Sequence, residues 1–253
     1  MTKIIAFVNQ KGGVGKTTSA LNLSAYLAAL GKSTLLIDLD PQANATKGLG
    51  FEPESFEKTL FDVLTGHAYL EDIIKNTHLF GYELAPSSFT LERTQQKLNK
   101  IPKKEFKLKE ALQTIKQDYN FLIIDCPPTL GFLTILGLVA SDELIIPIQC
   151  QYFALESLGQ LLKTVNLIGE KFNKKLKIMG GVLTMYERWN KLSRSITKEV
   201  IRHFPGYVFE AIVPRCTKLA EAPSYGQTIL EYAPNSRGAK AYRQLAQEII
   251  DLK

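Results

Sequence analysis

The chain has 253 residues, of which 45% are hydrophobic and 22% charged, and its formal net charge is +6 at pH 7. This is an ordinary globular composition, and a chain of this size folds without disulfides or a structural metal. The three cysteines, Cys126, Cys150 and Cys216, include no CxxC pair, which argues against a disulfide framework, a zinc site or a thiol-redox pair.

The N-terminus lacks the features of a secretory signal, and no apolar run approaches the ~18 residues of a membrane span. We therefore expect a soluble cytoplasmic protein with reduced thiols. A basic chain is compatible with an acidic partner, nucleic acid first.

Short runs rich in Ile, Val and Leu alternate with amphipathic segments along the chain. The predicted strands are Ile4–Asn9, Thr34–Asp38, Tyr82–Ala85, Phe121–Asp125, Leu144–Ile148, Ile178–Thr184 and Val208–Val213. Helical patterns lie between them, for example Thr17–Leu30, Phe106–Gln117, Leu155–Glu170, Ser195–His203 and Ala239–Leu252. Strands that are apolar on both faces and separated by helices indicate a buried parallel sheet built from βαβ units. With no repeat or dividing linker, we expect a single α/β domain over residues 1–253.

A glycine-rich loop joins the first predicted strand to the first predicted helix. It runs from Lys11 to Thr18 and matches G-x-x-x-x-G-K-[ST] except at Gln10, where the usual first glycine is missing. Glycines let backbone N–H groups face phosphate oxygens in conformations that a Cβ obstructs, and the helix N-terminus adds positive potential. Lys16 is placed to reach the β- and γ-phosphates, and the Thr17 hydroxyl to ligate Mg²⁺. The alternative is a turn that merely opens a helix. The predicted nucleotide contacts are Lys11, Gly12, Gly13, Val14, Gly15, Lys16, Thr17 and Thr18.

Aspartates follow two other predicted strands. Asp125 comes after four apolar residues, and its carboxylate would hold a magnesium-bound water. Asp38 and Asp40 end a second strand in the same way. A strand-terminal aspartate is often only a turn residue or a helix cap, but three of them beside a phosphate loop favour a functional role. Thr17, Asp38 and Asp125 are the candidate magnesium residues of a P-loop NTPase fold, with a mostly parallel, twisted sheet flanked by helices on both faces.

Four segments together resemble one family. Residues 11–18, KGGVGKTT, resemble the deviant Walker A loop of the ParA/MinD ATPases. Residues 38–46, DLDPQANAT, look like their switch I, and residues 125–131, DCPPTLG, like their Walker B motif and switch II. Residues 213–215 and 219–226 are similar to the segment after the last strand in Soj-type chromosome-partitioning ParA proteins. The resemblance covers essentially the whole chain, in order.

The resemblance implies ATP-dependent dimerisation, with two subunits enclosing two nucleotides. Lys11 matches the family's signature lysine, which crosses to the partner's phosphates and neutralises charge as an arginine finger does. Gly12 matches a position where the subunits approach closely, so a side chain there should block dimerisation. Asp40 matches the residue that orients the attacking water. Asp38 is expected to lie behind Asp40, without contacting the reacting groups. Lys11, Lys16 and Asp40 are therefore the predicted catalytic residues.

The expected nucleotide is ATP, bound with Mg²⁺. A guanine-reading N-K-x-D motif is missing, since the nearest string, Asn173–Leu176, lacks the aspartate. The family's adenine pocket uses main chain around Pro214 and often an asparagine two residues later. Here that position is Cys216, so the asparagine hydrogen bond is not expected. ATP is still the expected nucleotide.

Three branches of the family carry features that are missing here. The iron–sulphur carriers use a CxxC, and the repressor-type plasmid proteins carry an N-terminal helix-turn-helix domain, for which a loop beginning at residue 11 leaves no room. The MinD branch adds a C-terminal amphipathic membrane helix. Here the chain stops at Lys253, directly after Ala239–Leu252. The apolar stripe of that helix is expected to pack in the core, and consists of Tyr242, Leu245, Ala246, Ile249 and Ile250.

The remaining branch is the short partition ATPase that binds double-stranded DNA without sequence preference. Its cycle implies a homodimer in the ATP state, a nucleoid location, a ParB/Spo0J-type activator and no membrane. Candidate DNA contacts are Arg188, Lys191 and Lys218, within a basic group that also includes Arg194, Lys198, Arg202 and Arg215. Trp189 is expected to pack rather than to wedge against a partner. The lysines at 97, 100, 103, 104, 107 and 109 are expected to be solvated. Two alternatives stay open: a MinD-like membrane-associated positioning ATPase, and an ATP-gated scaffold with little hydrolysis.

Overall fold

The computed structural model describes residues 2–151 and 154–252. The strands are β1 (Lys3–Phe7), β2 (Thr34–Asp38), β3 (Lys75–Asn76), β4 (Tyr82–Ala85), β5 (Phe121–Asp125), β6 (Glu143–Gln149) and β7 (Lys177–Thr184). They form one seven-stranded sheet in the order β3-β4-β2-β5-β1-β6-β7, in which only β3 runs antiparallel to its neighbour. The predicted mostly parallel sheet is confirmed, and β1 lies in its interior between β5 and β6.

Helices cover both faces of the sheet. They are α1 (Lys16–Ala29), α2 (Asn44–Gly48), α3 (Leu60–Thr65), α4 (Leu70–Ile73), α5 (Thr94–Lys97), α6 (Lys107–Ile115), α7 (Phe132–Ala140), α8 (Ala154–Phe172), α9 (Lys191–His203), α10 (Thr217–Glu221), α11 (Ile229–Tyr232) and α12 (Arg237–Asp251). Side chains alternate between two cores along β1: Ile5 and Phe7 join the residues of α1 and α12, whereas Ile4 and Ala6 join those of α6, α7 and α9. The result is a single α/β domain of three layers.

The helix at the end of the chain, α12, packs against α1. Tyr242, Leu245, Ala246 and Ile249 are buried, and Ile250 is half-buried against the same core. The prediction that this apolar stripe belongs to the core is therefore confirmed. In the described parts of the chain, no helix has both the length and the apolar character needed to cross a bilayer.

The predicted strand Val208–Val213 was wrong. Near β7 this segment forms one isolated bridge, Gly181 with Val208, and the next residue, Pro214, forms another with Tyr186. The physical reason lies between the bridges, where the Glu248 carboxylate of α12 accepts the backbone N–H groups of Glu210 at 2.9 Å and Ala211 at 3.1 Å. These donors are therefore not available to a strand ladder.

Candidate functional site

The loop between β1 and α1 is shaped by two glycines in the left-handed region. Gly13 has φ +73° and Gly15 has φ +87°, conformations that are costly for residues with a Cβ. Gly15 precedes the 14-residue helix α1 without any side-chain cap. The first N–H groups of α1 are therefore left for an anion, as the phosphate-loop prediction requires.

Distant strands hold this loop in place. Asn9 donates through Nδ2 to the Pro147 carbonyl of β6 at 2.7 Å and accepts the Lys11 N–H through Oδ1 at 3.0 Å. The Thr184 hydroxyl at the end of β7 donates to the Val14 carbonyl at 2.8 Å. The sequence did not reveal that Asn9 and Thr184 hold the loop, because single polar residues at strand ends form no pattern.

The two lysines of the loop have different environments. Lys16 is buried, and its ammonium lies 3.4 Å from the Lys11 carbonyl. Burial lowers the pKa of Lys16, and the negative charges of Asp125 and Asp40 oppose that shift. The Lys11 ammonium instead donates to Gln151 Oε1 at 3.0 Å, in an exposed contact. Lys16 thus lies inside the site, while Lys11 extends along the outer surface of the loop.

Two carboxylates lie side by side at the carboxyl edge of the sheet. Asp38 ends β2 and Asp125 ends β5, paired in register with each other. Asp125 is fully buried, and neither of its carboxylate oxygens has a hydrogen-bond partner among the described residues. Burial raises the pKa of Asp125 well above its ordinary value and the charge of Asp38 adds to the shift, while Thr17 and Lys16 oppose it.

An unpaired buried carboxylate beside a phosphate loop fits a magnesium ion. Mg²⁺ keeps several waters and uses one or two carboxylates together with phosphate oxygens, so it needs no dense cluster of protein ligands. Within the described residues no group of three or more His, Cys, Asp or Glu side chains could hold a metal alone. The Thr17 hydroxyl and Asp125 are the groups that would hold the ion, Asp125 through water.

Asp38 is occupied differently from Asp125. Its carboxylate accepts the backbone N–H and the hydroxyl of Thr46, both at 2.8 Å, and the backbone N–H of Asp40 at 3.2 Å. Burial raises the pKa of Asp38 to about 6, and these hydrogen bonds limit the shift. Both oxygens of Asp38 are thus already engaged by Asp40 and Thr46, in contrast to those of Asp125.

A cavity of about 860 Å³ extends from the loop toward the C-terminal segment. Its lining includes Gly15 and Thr18 of the loop and the predicted Pro214 and Cys216. Its volume is within the range of pockets that hold small ligands. Sequence reasoning missed the other lining residues, among them Met185, Asn190, Ser193, Leu219 and Tyr242.

The predicted DNA contacts lie on an exposed surface beside this cavity. Lys218 donates to Glu221 at 2.8 Å, and its ammonium is 5.5 Å from the centre of the Tyr232 ring. Arg188 and Lys191 are exposed. The expectation that Trp189 packs was wrong: it is 88% exposed, and the Arg188 guanidinium lies 5.5 Å from its ring centre.

Helix α9 carries a basic stripe, defined as Lys191, Arg194, Lys198 and Arg202. All four are exposed, and their spacing of three, four and four residues places them on one helix face. The opposite face is buried through Ile196 and Val200. Within the described chain, no ion pair involves a stripe residue.

Arg215 is also exposed, but its guanidinium pairs with Glu187 at 2.9 Å. The lysine run at residues 97–109 lies on exposed or half-buried positions around α5 and α6, as expected for a solvated surface. Within this run, Lys107 pairs with Glu110 at 3.1 Å.

The chain is similar to proteins of one group over nearly its full length. A family model described as an AAA domain matches residues 2–178. Sporulation initiation inhibitor protein Soj of Bacillus subtilis is 47% identical over 249 residues, covering 98% of both chains. Chromosome-partitioning ATPase Soj of Treponema pallidum is 45% identical over 250 residues, covering 99% of this chain and 98% of the relative. Chromosome partitioning protein ParA of Caulobacter vibrioides is 42% identical over 250 residues, covering 98% of this chain and 94% of the relative.

Solved structures share this fold, and one of them was crystallised with a nucleotide. Cobyrinic acid a,c-diamide synthase of Mycobacterium smegmatis, crystallised with an ATP analogue and magnesium, superposes with a TM-score of 0.88 at 32% identity, covering 99% of this chain and 95% of that one. The cell division ATPase MinD of Pyrococcus furiosus superposes with a TM-score of 0.82 at 30% identity, covering 100% of both chains.

Proposed function

Because the chain belongs to the AAA-domain family of Soj and ParA chromosome-partitioning ATPases, we propose that it is an ATP-driven dimerising switch for DNA partition. In this proposal ATP binding joins two subunits, the dimer binds DNA without sequence preference, and hydrolysis releases it. The chain is an ATP hydrolase whose cofactors are ATP and Mg²⁺. Dimerisation, DNA binding and partner stimulation are the parts that we propose.

The proposed hydrolysis uses the residues at the carboxyl edge of the sheet. The α1 N-terminus and Lys16 would bind the β- and γ-phosphates, and Asp40 would orient the attacking water. The Thr17 hydroxyl, and Asp125 through water, would hold Mg²⁺, which would supply positive charge against the phosphate oxygens. Burial keeps bulk solvent away from Asp38 and Asp125, which strengthens the electrostatic interactions of these carboxylates within the site.

The dimer proposal rests on the outer surface of the loop, which is exposed. Gly12 and Gly13 are exposed, and a Cβ added at Gly12 would meet no atom within 4 Å. The Lys11 ammonium donates to Gln151 on the same exposed surface, whereas the Lys16 ammonium lies inside the site. This open surface supports contact with a second copy, in which Lys11 would reach the partner's phosphates.

The proposed DNA surface combines the stripe of α9 with Arg188 and Lys218. These cations are exposed and lie near the nucleotide cavity, which residues 187, 190, 192 and 193 line. A dimer would double the number of cations facing one duplex, and multiple phosphate contacts make affinity fall steeply with salt. Nucleotide-dependent dimerisation would therefore control DNA affinity.

The partner in this proposal is a ParB/Spo0J-type activator bound at its own DNA site. Slow intrinsic turnover would keep the dimer on the nucleoid of the cytoplasm until the activator raises hydrolysis and releases it. Repeated release and rebinding would then move or position the DNA cargo.

The first experiment measures DNA binding and dimerisation with ATP, with ADP and without nucleotide, for the wild type and Asp40→Ala. We expect DNA binding only with ATP, and a longer-lived ATP dimer in Asp40→Ala. DNA affinity that ignores nucleotide would remove the switch.

Glycine variants test the dimer surface directly. Gly12→Val should abolish the ATP dimer while the subunit still folds, because a Cβ at Gly12 would meet no atom of the subunit within 4 Å. Gly159→Val is the matched control, since a Cβ there also meets no atom within 4 Å and the residue lies on α8. Dimerisation of Gly12→Val in ATP, measured by light scattering, would contradict the proposed surface.

The membrane alternative receives no support from α12, whose apolar side packs on α1. ATP-dependent binding to anionic liposomes, with none to DNA, would favour the MinD-like alternative over our proposal.

A further inference from the structure

A closed ring of hydrogen bonds surrounds the backbone of Asp40. The Asp40 N–H donates to Asp38 Oδ1 at 3.2 Å, and the Thr46 hydroxyl donates to Asp38 Oδ2 at 2.8 Å. The Ser87 N–H donates to Thr46 Oγ1 at 3.1 Å, and the Ser87 hydroxyl donates to the Asp40 carbonyl at 2.5 Å. Asp38, Thr46 and Ser87 are 0% exposed and Asp40 is 6% exposed.

The direction of every bond in the ring follows from the chemistry of the groups. An ionised carboxylate only accepts and a backbone N–H only donates, so Asp38 must receive both of its ring bonds. Thr46 gives its single hydroxyl proton to Asp38, which leaves its oxygen to accept the Ser87 N–H. Ser87 then gives its own hydroxyl proton to Asp40. Because burial makes any unsatisfied group costly, removing one member affects the others.

The ring holds the main chain of Asp40 and leaves part of its side chain available. The Asp40 carbonyl also accepts the Ala43 N–H at 2.9 Å, and Oδ1 accepts the Gln42 N–H at 3.0 Å. No donor among the described residues bonds to Oδ2. The backbone is thus held at both its N–H and its carbonyl, which fixes where the free oxygen can lie.

We propose that Ser87 and Thr46 are positioning residues for Asp40, so that the segment following β4 sets the hydrolysis rate. This inference rests on the proposed role of Asp40 in orienting the attacking water. Ser87 belongs to neither the phosphate loop nor switch I: it lies 47 residues from Asp40 along the chain and follows the neighbouring strand β4.

The expected effect of removing one ring member is a lower turnover at unchanged ATP affinity. Misplacing a reacting group by about 1 Å can cost roughly 10²-fold in rate. Ser87→Ala removes the hydroxyl bond and keeps the other three bonds of the ring, so we expect kcat to fall about tenfold. Among the described residues, the ring bonds of Ser87 and Thr46 go to residues 38–46 and to each other, and none goes to residues 11–18, so the ATP dissociation constant should stay within about twofold.

The experiment measures single-turnover and steady-state ATP hydrolysis and ATP affinity for Ser87→Ala, Asp40→Ala and the double variant. If Ser87 acts through Asp40, the double variant loses no more rate than Asp40→Ala alone, which a merely structural role would not produce. Ser24→Ala is the matched control, because Ser24 is also 0% exposed and donates to a backbone carbonyl, that of Ala20, at 2.7 Å. Its kcat should equal that of the wild type.

Thr46 variants test the other side of the ring. Thr46→Val keeps the shape but removes the hydroxyl, and we expect about a tenfold lower kcat. Thr46→Ser restores the hydroxyl and should return kcat to within about twofold of the wild type. If Ser87→Ala does not fold, this pair provides the same test from within switch I.

The outcomes separate the inference from the function on which it rests. Wild-type hydrolysis by Asp40→Ala would overturn the assignment of Asp40, and the positioning role with it. Impaired Asp40→Ala beside unimpaired Ser87→Ala and Thr46→Val would overturn the positioning role alone. Additive rate losses in the double variant, or a Ser24→Ala loss equal to that of Ser87→Ala, would also overturn it.

Discussion

The charged groups at the carboxyl edge of the sheet are buried, whereas those on the basic surface of α9 are exposed. At the sheet edge Asp38, Asp125 and Lys16 are buried, and their neighbours come from several strands. On α9 the cations are exposed, and helical spacing alone brings them together. One region therefore depends on contacts between distant parts of the chain, and the other on local sequence.

This difference predicts different responses to substitution. Buried charges and hydrogen bonds interact with one another, so a substitution at one position alters the others. The effects of such substitutions on activity or stability are therefore not additive. Exposed cations are screened by salt and act nearly independently, so each change is small and the changes sum. Substitutions in the two regions test that contrast.

Lys16→Ala should have the largest effect. It removes the buried cation beside Asp125 and the predicted contact with the phosphates. We expect ATP turnover to fall roughly 10²–10³-fold, the scale of removing a preorganised charge-stabilising donor, with weaker ATP binding as well. Steady-state hydrolysis and nucleotide titration measure both. Lys240→Ala, an exposed lysine of α12, is the control and should behave as the wild type. Wild-type turnover of Lys16→Ala would contradict the assignment of the site.

The sheet was predictable because buried parallel strands are apolar on both faces. Six of its strands were predicted, and only the two-residue β3 was missed, since two residues carry no periodicity. Helix α7 was missed for a different reason: its sequence, FLTILGLVA, is apolar nearly all round and shows no amphipathic period. The false strand at residues 208–213 has a suitable composition, but α12 takes its backbone donors.

The site was predictable where its residues are close in sequence. The phosphate loop and the strand-terminal aspartates are local motifs, and the structure brings Lys16, Asp38 and Asp125 together. The residues that hold them were not predictable. Thr184 bonds Val14 across 170 positions, and a single threonine or serine has no sequence pattern that would reveal such a bond.

The basic stripe should show additive, salt-dependent effects. Replacing Lys198 and Arg202 by alanine should reduce the slope of log affinity against log salt by about 0.9 for each phosphate that is no longer neutralised, and each substitution occurs twice in a dimer. ATP turnover without DNA should not change. The matched control replaces Lys97 and Lys100, which are also exposed but belong to the lysine run near α5. An equal decrease of slope in both double variants would mean that net charge, not the stripe, binds DNA.

Glu248→Ala should weaken the fold by a smaller amount. The Glu248 carboxylate accepts the N–H groups of Glu210 and Ala211 and the Tyr207 hydroxyl, and that last bond raises the pKa of Tyr207 to about 12. Ala211 is fully buried, so its N–H would have no partner in the variant. We expect the free energy of unfolding to fall by about 1–3 kcal/mol, measured by urea denaturation.

Gln247→Ala changes the adjacent exposed residue of α12 and is the control for Glu248→Ala. An unchanged midpoint for Glu248→Ala would show that residues 208–213 do not depend on α12. The explanation of why they fail to form a strand would then be wrong.

Trp189→Ala should have the smallest effect on folding, because the side chain is 88% exposed. Exposed substitutions of this kind change the free energy of unfolding by no more than about 0.5 kcal/mol. Phe209→Ala is the contrasting variant: Phe209 is 2% exposed, and its replacement should cost about 3–5 kcal/mol. Since Trp189 is the single tryptophan of the chain, unfolding is followed by circular dichroism and not by tryptophan fluorescence. A decrease above about 2 kcal/mol in Trp189→Ala would restore the packing prediction and make this part of the basic surface resemble the coupled sheet edge.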